Sequence, residues 1–314
     1  MSWKVSAIAH YSLLITHHFF IRGIMNIISR RNLIKGIGAT TFSAMILKDF
    51  TSSAFAMQRI VKNGRLKQSV SRWCYGKIPL DDFARAVADI GLTAIDLLEE
   101  KEWAPIAKYG LICSMGYAGG GTIPKALNDK ANHDAIVKNF EATIPRAAKM
   151  KVPNVITFFG NRQNQSDEQA KENCIIGLNR VKKVAENEGV TICVELLNSK
   201  VDHKGYQGDY TPFGVEVIKA VASPRVKLLY DIYHMQIMEG DIIRTIRQNI
   251  DYIAHFHTGG VPGRNELDNT QELNWATVCK AIADLGFKGY VAHEFVPKRD
   301  PLTSLREAVA LCDV

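Results

Sequence analysis

Four short apolar runs in the second half of the chain each end on a side chain that can bind a metal. TICVELL carries Glu195, VKLLYDIYH carries Asp231, IAHFHTGG carries His257 and YVAHEFV carries Glu294. The intervals between these positions are 36, 26 and 37 residues, room each time for a helix and two loops. A carboxylate, carboxylate, imidazole, carboxylate set suits a hard or borderline divalent ion such as Mn2+, Mg2+ or Zn2+. Strands often end on polar residues where they meet water, so any one of the four alone says little. Four of ligand type in consecutive units say much more.

Such ligands meet only if their strands lie parallel, side by side, and end at one edge, which is the geometry of a (β/α)8 barrel mouth. From Leu66 onward the chain alternates strand and helix signals eight times. The strands read LKQSVSRW, TAIDLLE, GLICSMGY, NVITFFG, VTICVEL, VKLLYDI, IAHFH and GYVAHEF. Helices are expected after Pro79, around Glu102 to Lys108, from His133 to Met150 and from Ser166 to Glu188. Four more are expected from Thr211, after Gly240–Asp241, around Trp275 to Leu285 and after Asp300. The predicted fold class is an α/β TIM barrel in a single domain. The glycine run 119–121 lacks a phosphate-loop spacing and reads as a mobile loop. Pleating turns His255 and His257 inward, with His257 nearer the mouth as the ligand and His255 as an interior histidine. His293 has the opposite parity to Glu294 and faces the helices. His234, three residues past Asp231, falls in the loop after its strand, within reach of the pocket but off the metal.

At 314 residues, 46% hydrophobic, the chain has enough length for one barrel of about 250 residues plus a leader. Residues 1–56 carry +5 of the formal +7 charge, leaving +2 for residues 57–314. The barrel domain is thus close to neutral, and no nucleic-acid partner is expected. Within the leader, Ser29–Arg30–Arg31–Asn32–Leu33–Ile34–Lys35 precedes a weakly apolar stretch and then Ala54–Phe55–Ala56, an A-x-A cleavage pattern. This resembles a twin-arginine export signal and predicts a periplasmic or otherwise exported protein with no stable membrane partner after cleavage. Met25 is a candidate true start, since it brings the arginines near the N-terminus. Six cysteines, at 74, 113, 174, 193, 279 and 312, form no CxxC pair and read as free thiols, mostly buried. Homo-oligomerisation is left open.

Across residues 66–310 the motifs VELLN, YDIYHMQ, HFHTGG with PGRNELD, and AHEF resemble the xylose isomerase-like TIM barrel superfamily, in its hydroxypyruvate isomerase and ketose 3-epimerase branch. The resemblance implies that Glu195, Asp231, His257 and Glu294 bind one divalent metal, Mn2+ or Mg2+ first, with Zn2+ and Co2+ as further candidates. It also implies that Glu195 and Glu294 are the catalytic proton carriers, and that His234 and Arg264 hold the substrate's oxygens. Hydroxypyruvate isomerases often have Gln where His257 stands, which is one departure. Ketose 3-epimerases carry a further glutamate six residues past the first ligand glutamate, where this chain has Val201. The expected activity is isomerisation of a small hydroxy-carbonyl compound through an enediolate, hydroxypyruvate to tartronate semialdehyde, with a sugar isomerase or 3-epimerase as the alternative. A phosphodiesterase of the endonuclease IV type stands behind these because six histidines outside the leader are few for three metals. A non-catalytic sugar-binding barrel stands behind them too, since binding needs no opposed proton carriers. The loop Asn198–Tyr210 is expected to cover the pocket.

Overall fold

Runs of β-branched and apolar residues alternate with amphipathic helices, and the result is a parallel barrel wrapped by helices. The computed structural model describes residues 59–314. The expected export leader, its paired arginines and its cleavage pattern lie outside the described residues. In chain order the elements are β1 (Lys67–Ser71), α1 (Leu80–Ile90), β2 (Ala94–Asp96), α2 (Glu100–Ile106), β3 (Ile112–Cys113), β4 (Gly116–Gly120) and α3 (His133–Lys149). Then come β5 (Asn154–Phe158), α4 (Asp167–Glu188), β6 (Thr191–Leu196), α5 (Thr211–Val221), β7 (Val226–Asp231) and α6 (Ile232–Met238). The last are α7 (Ile242–Asn249), β8 (Ile253–Thr258), α8 (Trp275–Asp284), β9 (Tyr290–His293) and α9 (Pro301–Cys312).

The sheet order is β3-β2-β1-β9-β8-β7-β6-β5-β4, and every pairing is parallel. The strands β3 and β4 are successive segments of one stave, and a parallel bridge between Leu98 and Gly116 joins the two ends of the sheet. Nine segments therefore make an eight-stave barrel, as the alternation predicts. Every residue of β5 and β6 is buried, because a parallel strand has the barrel interior on one face and helices on the other. The outer layer follows its apolar stripes: in α1, Phe83, Ala84, Val87 and Ile90 are buried, and Gly91 ends the helix at φ +103°.

Two expectations are corrected. The glycine run is not a loop, because Gly119 and Gly120 belong to β4. A Cβ on Gly120 would sit 2.6 Å from the Ile156 carbonyl oxygen, so the close approach of β4 to β5 requires glycine there. The segment after Asp231 is not a loop either. It turns directly into α6, because the Asp231 carboxylate accepts a hydrogen bond from the His234 N–H at 3.1 Å and caps the helix. The cysteines are free thiols, all buried except the half-buried Cys74. Among the described residues, no helix is long and apolar enough to cross a membrane.

Candidate metal centre and active site

Strand register explains why the four predicted ligands meet. Asp231 pairs with His257, and His257 with Ala292, so all three point into the barrel. Glu294, two residues past Ala292, shares their parity, and Glu195 shares it through its pairing with Leu229. Ligand atoms of Glu195, Asp231, His257 and Glu294 lie within 4.8 Å of one another, and all four residues are buried. His257 Nδ1 stands 2.6 Å from Glu294 Oε2, 3.3 Å from Glu195 Oε1 and 3.8 Å from Asp231 Oδ2. Although surrounded by these oxygens, Nδ1 makes no hydrogen bond of normal geometry. Three carboxylates around an imidazole nitrogen left without a partner fit a divalent cation, and these four residues could hold one.

The two substrate-binding candidates adjoin this group. Arg264 Nη2 donates to Asp231 Oδ2 at 2.8 Å and to Glu294 Oε2. Its Nη1 lies 2.9 Å from His234 Nε2. The guanidinium sits between the rings of Trp73 and Tyr233, 5.6 and 5.1 Å from their centroids. The opposite ring nitrogen of His234, Nδ1, is 2.6 Å from Asn198 Nδ2. Asn198 in turn donates to Asp202, which also accepts from the Tyr233 hydroxyl. The loop after β6 is therefore tied to the pocket through His234. Val201, in the same loop, is 61% exposed.

Burial and charge set unequal protonation across the site. Burial pushes the Glu195 carboxyl up to about 7, against the pull of His257. Burial likewise takes Asp231 up to about 6, with Arg264 opposing. Burial also works against ionised Glu294, but Arg264, His257 and Trp73 together outweigh it and hold that carboxyl well below the usual range. Burial and the Arg264 charge keep His234 neutral by driving its pKa well down.

Two residues not singled out in the sequence belong to the site. The Trp73 indole donates to Glu294 Oε1 at 2.5 Å while its ring is 47% exposed. Asp96, the last residue of β2, lies at His257 Nε2, with Oδ2 at 2.9 Å. The signal for Asp96 was present in TAIDLLE, an apolar run interrupted by a carboxylate, as in the four ligand runs. His255 is interior as expected, its Nε2 3.1 Å from Asp96 Oδ1. His293 faces the helix layer as expected: its Nε2 contacts Gln68 Oε1 at 2.8 Å, and Gln68 donates to the Val309 carbonyl of α9.

A family model described as xylose isomerase-like TIM barrel matches residues 71–313. A putative hydroxypyruvate isomerase of Xenopus laevis is 29% identical over 139 residues, 44% of this chain and 50% of that protein. A D-psicose 3-epimerase of Ruminiclostridium cellulolyticum is 35% identical over 127 residues, 39% of this chain and 40% of that protein. The chain thus spans about half the length of the curated relatives it matches, or less. Among solved structures, an AP endonuclease, family 2, from Brucella melitensis superposes with a TM-score of 0.70 at 19% identity, covering 76% of this chain and 97% of the other. At that identity the likeness speaks for the fold alone.

Proposed function

Because the chain belongs to the xylose isomerase-like TIM barrel family, we propose that it is a divalent-metal-dependent isomerase. It would act by proton transfer through an enediolate on a small hydroxy-carbonyl compound, and hydroxypyruvate to tartronate semialdehyde is the favoured reaction. The observation that carries this reading is the convergence of ligand atoms from Glu195, Asp231, His257 and Glu294 within 4.8 Å. A divalent ion held there, Mn2+ or Mg2+ first, supplies Lewis acidity that makes the C–H next to a carbonyl easier to ionise.

Glu195 and Glu294 then serve as the proton carriers. One removes a proton from the carbon bearing the hydroxyl, and a proton returned to the neighbouring carbon completes the isomerisation. Their surroundings support a division of labour. Glu294 has Trp73 and Arg264 as donors and His257 beside it, whereas Glu195 has His257 alone at 3.3 Å. A carboxylate held ionised beside one able to keep a proton is what such a transfer uses. Asp231 and His257 bind and need not move protons.

Arg264 and His234 are suited to the substrate's oxygens. Arg264 Nη1 lies 2.9 Å from His234 Nε2, and since a guanidinium only donates, that ring nitrogen accepts from it. The planar guanidinium, oriented by His234, suits a substrate carboxylate or hydroxyl oxygen.

Incubation with Mn2+ and hydroxypyruvate in deuterated water should place solvent deuterium on carbon in the product. A second reading, a ketose 3-epimerase, is favoured by the D-psicose 3-epimerase relative and weakened by Val201. Free ketohexoses in the same experiment separate the two, and no deuterium uptake from either substrate sinks both. The twin-arginine motif supports export. Fractionation of cells expressing an Arg30→Lys, Arg31→Lys variant should find it retained in the cytoplasm, and unchanged export would remove that part of the reading.

A further inference from the structure

Asp96 is fully buried at the end of β2, and its two oxygens serve different neighbours. Oδ2 lies 2.9 Å from His257 Nε2, while Oδ1 accepts from the Ser114 hydroxyl at 2.6 Å and lies 3.1 Å from His255 Nε2. An ionised carboxylate only accepts hydrogen bonds, so the ring nitrogen facing Oδ2 must carry a proton. His257 then has its N–H at Nε2 and its lone pair at Nδ1, the atom aimed at Glu195, Asp231 and Glu294.

The backbone contributes to this aim. Pairing of Ser71 with Asp96 in the β1–β2 ladder turns the carboxylate inward. The next residue, Leu97, has φ +54°, a left-handed conformation unfavourable for a branched side chain. Leu97 is held there by its N–H to the Met115 carbonyl at 2.8 Å. Backbone strain next to a buried carboxylate marks a position fixed for a purpose.

We propose that Asp96 is a positioning residue that holds His257 in the Nε2–H tautomer and presents Nδ1 to the metal. This rests on the metal-centre reading above and extends it by one residue outside the ligand set. The arrangement gives the cation a histidine of fixed ring orientation and greater basicity.

The test uses Zn2+ or Mn2+ alone as probe, with no substrate. Asp96→Asn should lower metal affinity by about 10- to 100-fold, with its far-UV circular dichroism unchanged. In the Zn2+-loaded wild type, 15N NMR should show His257 protonated at Nε2 and not at Nδ1, a readout that needs no variant to fold. Wild-type affinity retained in Asp96→Asn, or a His257 proton found at Nδ1, overturns the inference while leaving the metal centre intact. Two ions per chain, one of them lost in Asp96→Asn, also overturns it, because Asp96 and His255 would then be ligands themselves. A wild type that binds no divalent ion removes the metal-centre reading and this one with it.

Discussion

At the base of the barrel, Asp313 follows α9 and accepts hydrogen bonds from the backbone N–H groups of Lys62, Asn63 and Gly64 at 2.5, 2.8 and 2.8 Å. At the mouth, Glu195, Asp231 and Glu294 crowd around the single imidazole of His257 and the single guanidinium of Arg264. Both ends use carboxylates, with opposite results. The base gives one charge several donors and so ties the start of the barrel to its end. The mouth gives several charges too few cations, an arrangement that costs stability unless a further positive charge joins it. Stability is built in at the base and surrendered at the candidate metal centre.

This contrast can be tested from its strongest consequence downward. Glu195→Gln and Glu294→Gln should each lower turnover of hydroxypyruvate by about 100- to 10,000-fold. Glu195→Gln should not lower the thermal midpoint of the metal-free protein, since burial already disfavours that charge, whereas Glu294→Gln should lower it, since Trp73 and Arg264 lose a charged acceptor. A loss of activity in Glu195→Gln that comes with unfolding would break the comparison at the mouth.

Next in size is the response to metal. Mn2+ at 100 times its dissociation constant should raise stability by about 2.7 kcal/mol in chemical denaturation, reversed by a chelator. Glu195→Gln should blunt that gain, and a base variant such as Asp313→Asn should keep it in full.

Asp313→Asn should itself cost on the order of 1 kcal/mol, its charged hydrogen bonds being discounted for partial exposure, with activity unchanged. Partial burial raises the Asp313 pKa, but the N–H groups of Gly64, Asn63 and Lys62 outweigh it and hold it below 3.8. The folded state therefore favours the ionised form. The difference between wild type and variant should be full above pH 3.8 and vanish as pH falls through the folded pKa. A difference that grows on acidification would refute this account of the base.

The smallest effect is expected at Val201. At 61% exposure, Val201→Glu should change stability by less than about 0.5 kcal/mol and leave the ratio of ketohexose to hydroxypyruvate turnover unchanged. A rise in that ratio would show that the loop after β6 brings this position onto the substrate.

The candidate ligand group was legible because β6, β7, β8 and β9 are near-continuous apolar runs that lead into a residue of ligand type. The eight-unit alternation was legible for the same reason, helped by caps such as Asp300, whose side chain accepts from the Thr303 N–H. What escaped did so for identifiable reasons. Asp231 ends β7 and caps α6 at once, so no separate helix-start residue advertised the helix. Gly119 and Gly120 have no side chains to show strand periodicity, and the contact that requires them is with residues 20 and more positions away in sequence: Asn139 for one, Ile156 and Thr157 for the other. Asp96 makes its decisive contact with His257, 161 residues along the chain, and the carboxylate that interrupts TAIDLLE carries no sign of so distant a partner.

The broken third stave has a mechanical consequence. β3 pairs only with β2 and β4 only with β5, and Gly116 is the residue that meets both neighbours, through Leu98 and Val155. Side-chain bulk cannot be added there, since a Cβ on Gly116 would lie 2.6 Å from the Trp103 ring. Backbone hydrogen bonds close the ring on either side of Gly116, from the Leu97 N–H to the Met115 carbonyl at 2.8 Å and from the Tyr117 N–H to the Leu98 carbonyl at 3.1 Å. The ladders linking β6 to β9 lie on the other arc of the ring, so a bulkier residue at Gly116 would strain the closure away from the strands that carry Glu195, Asp231, His257 and Glu294.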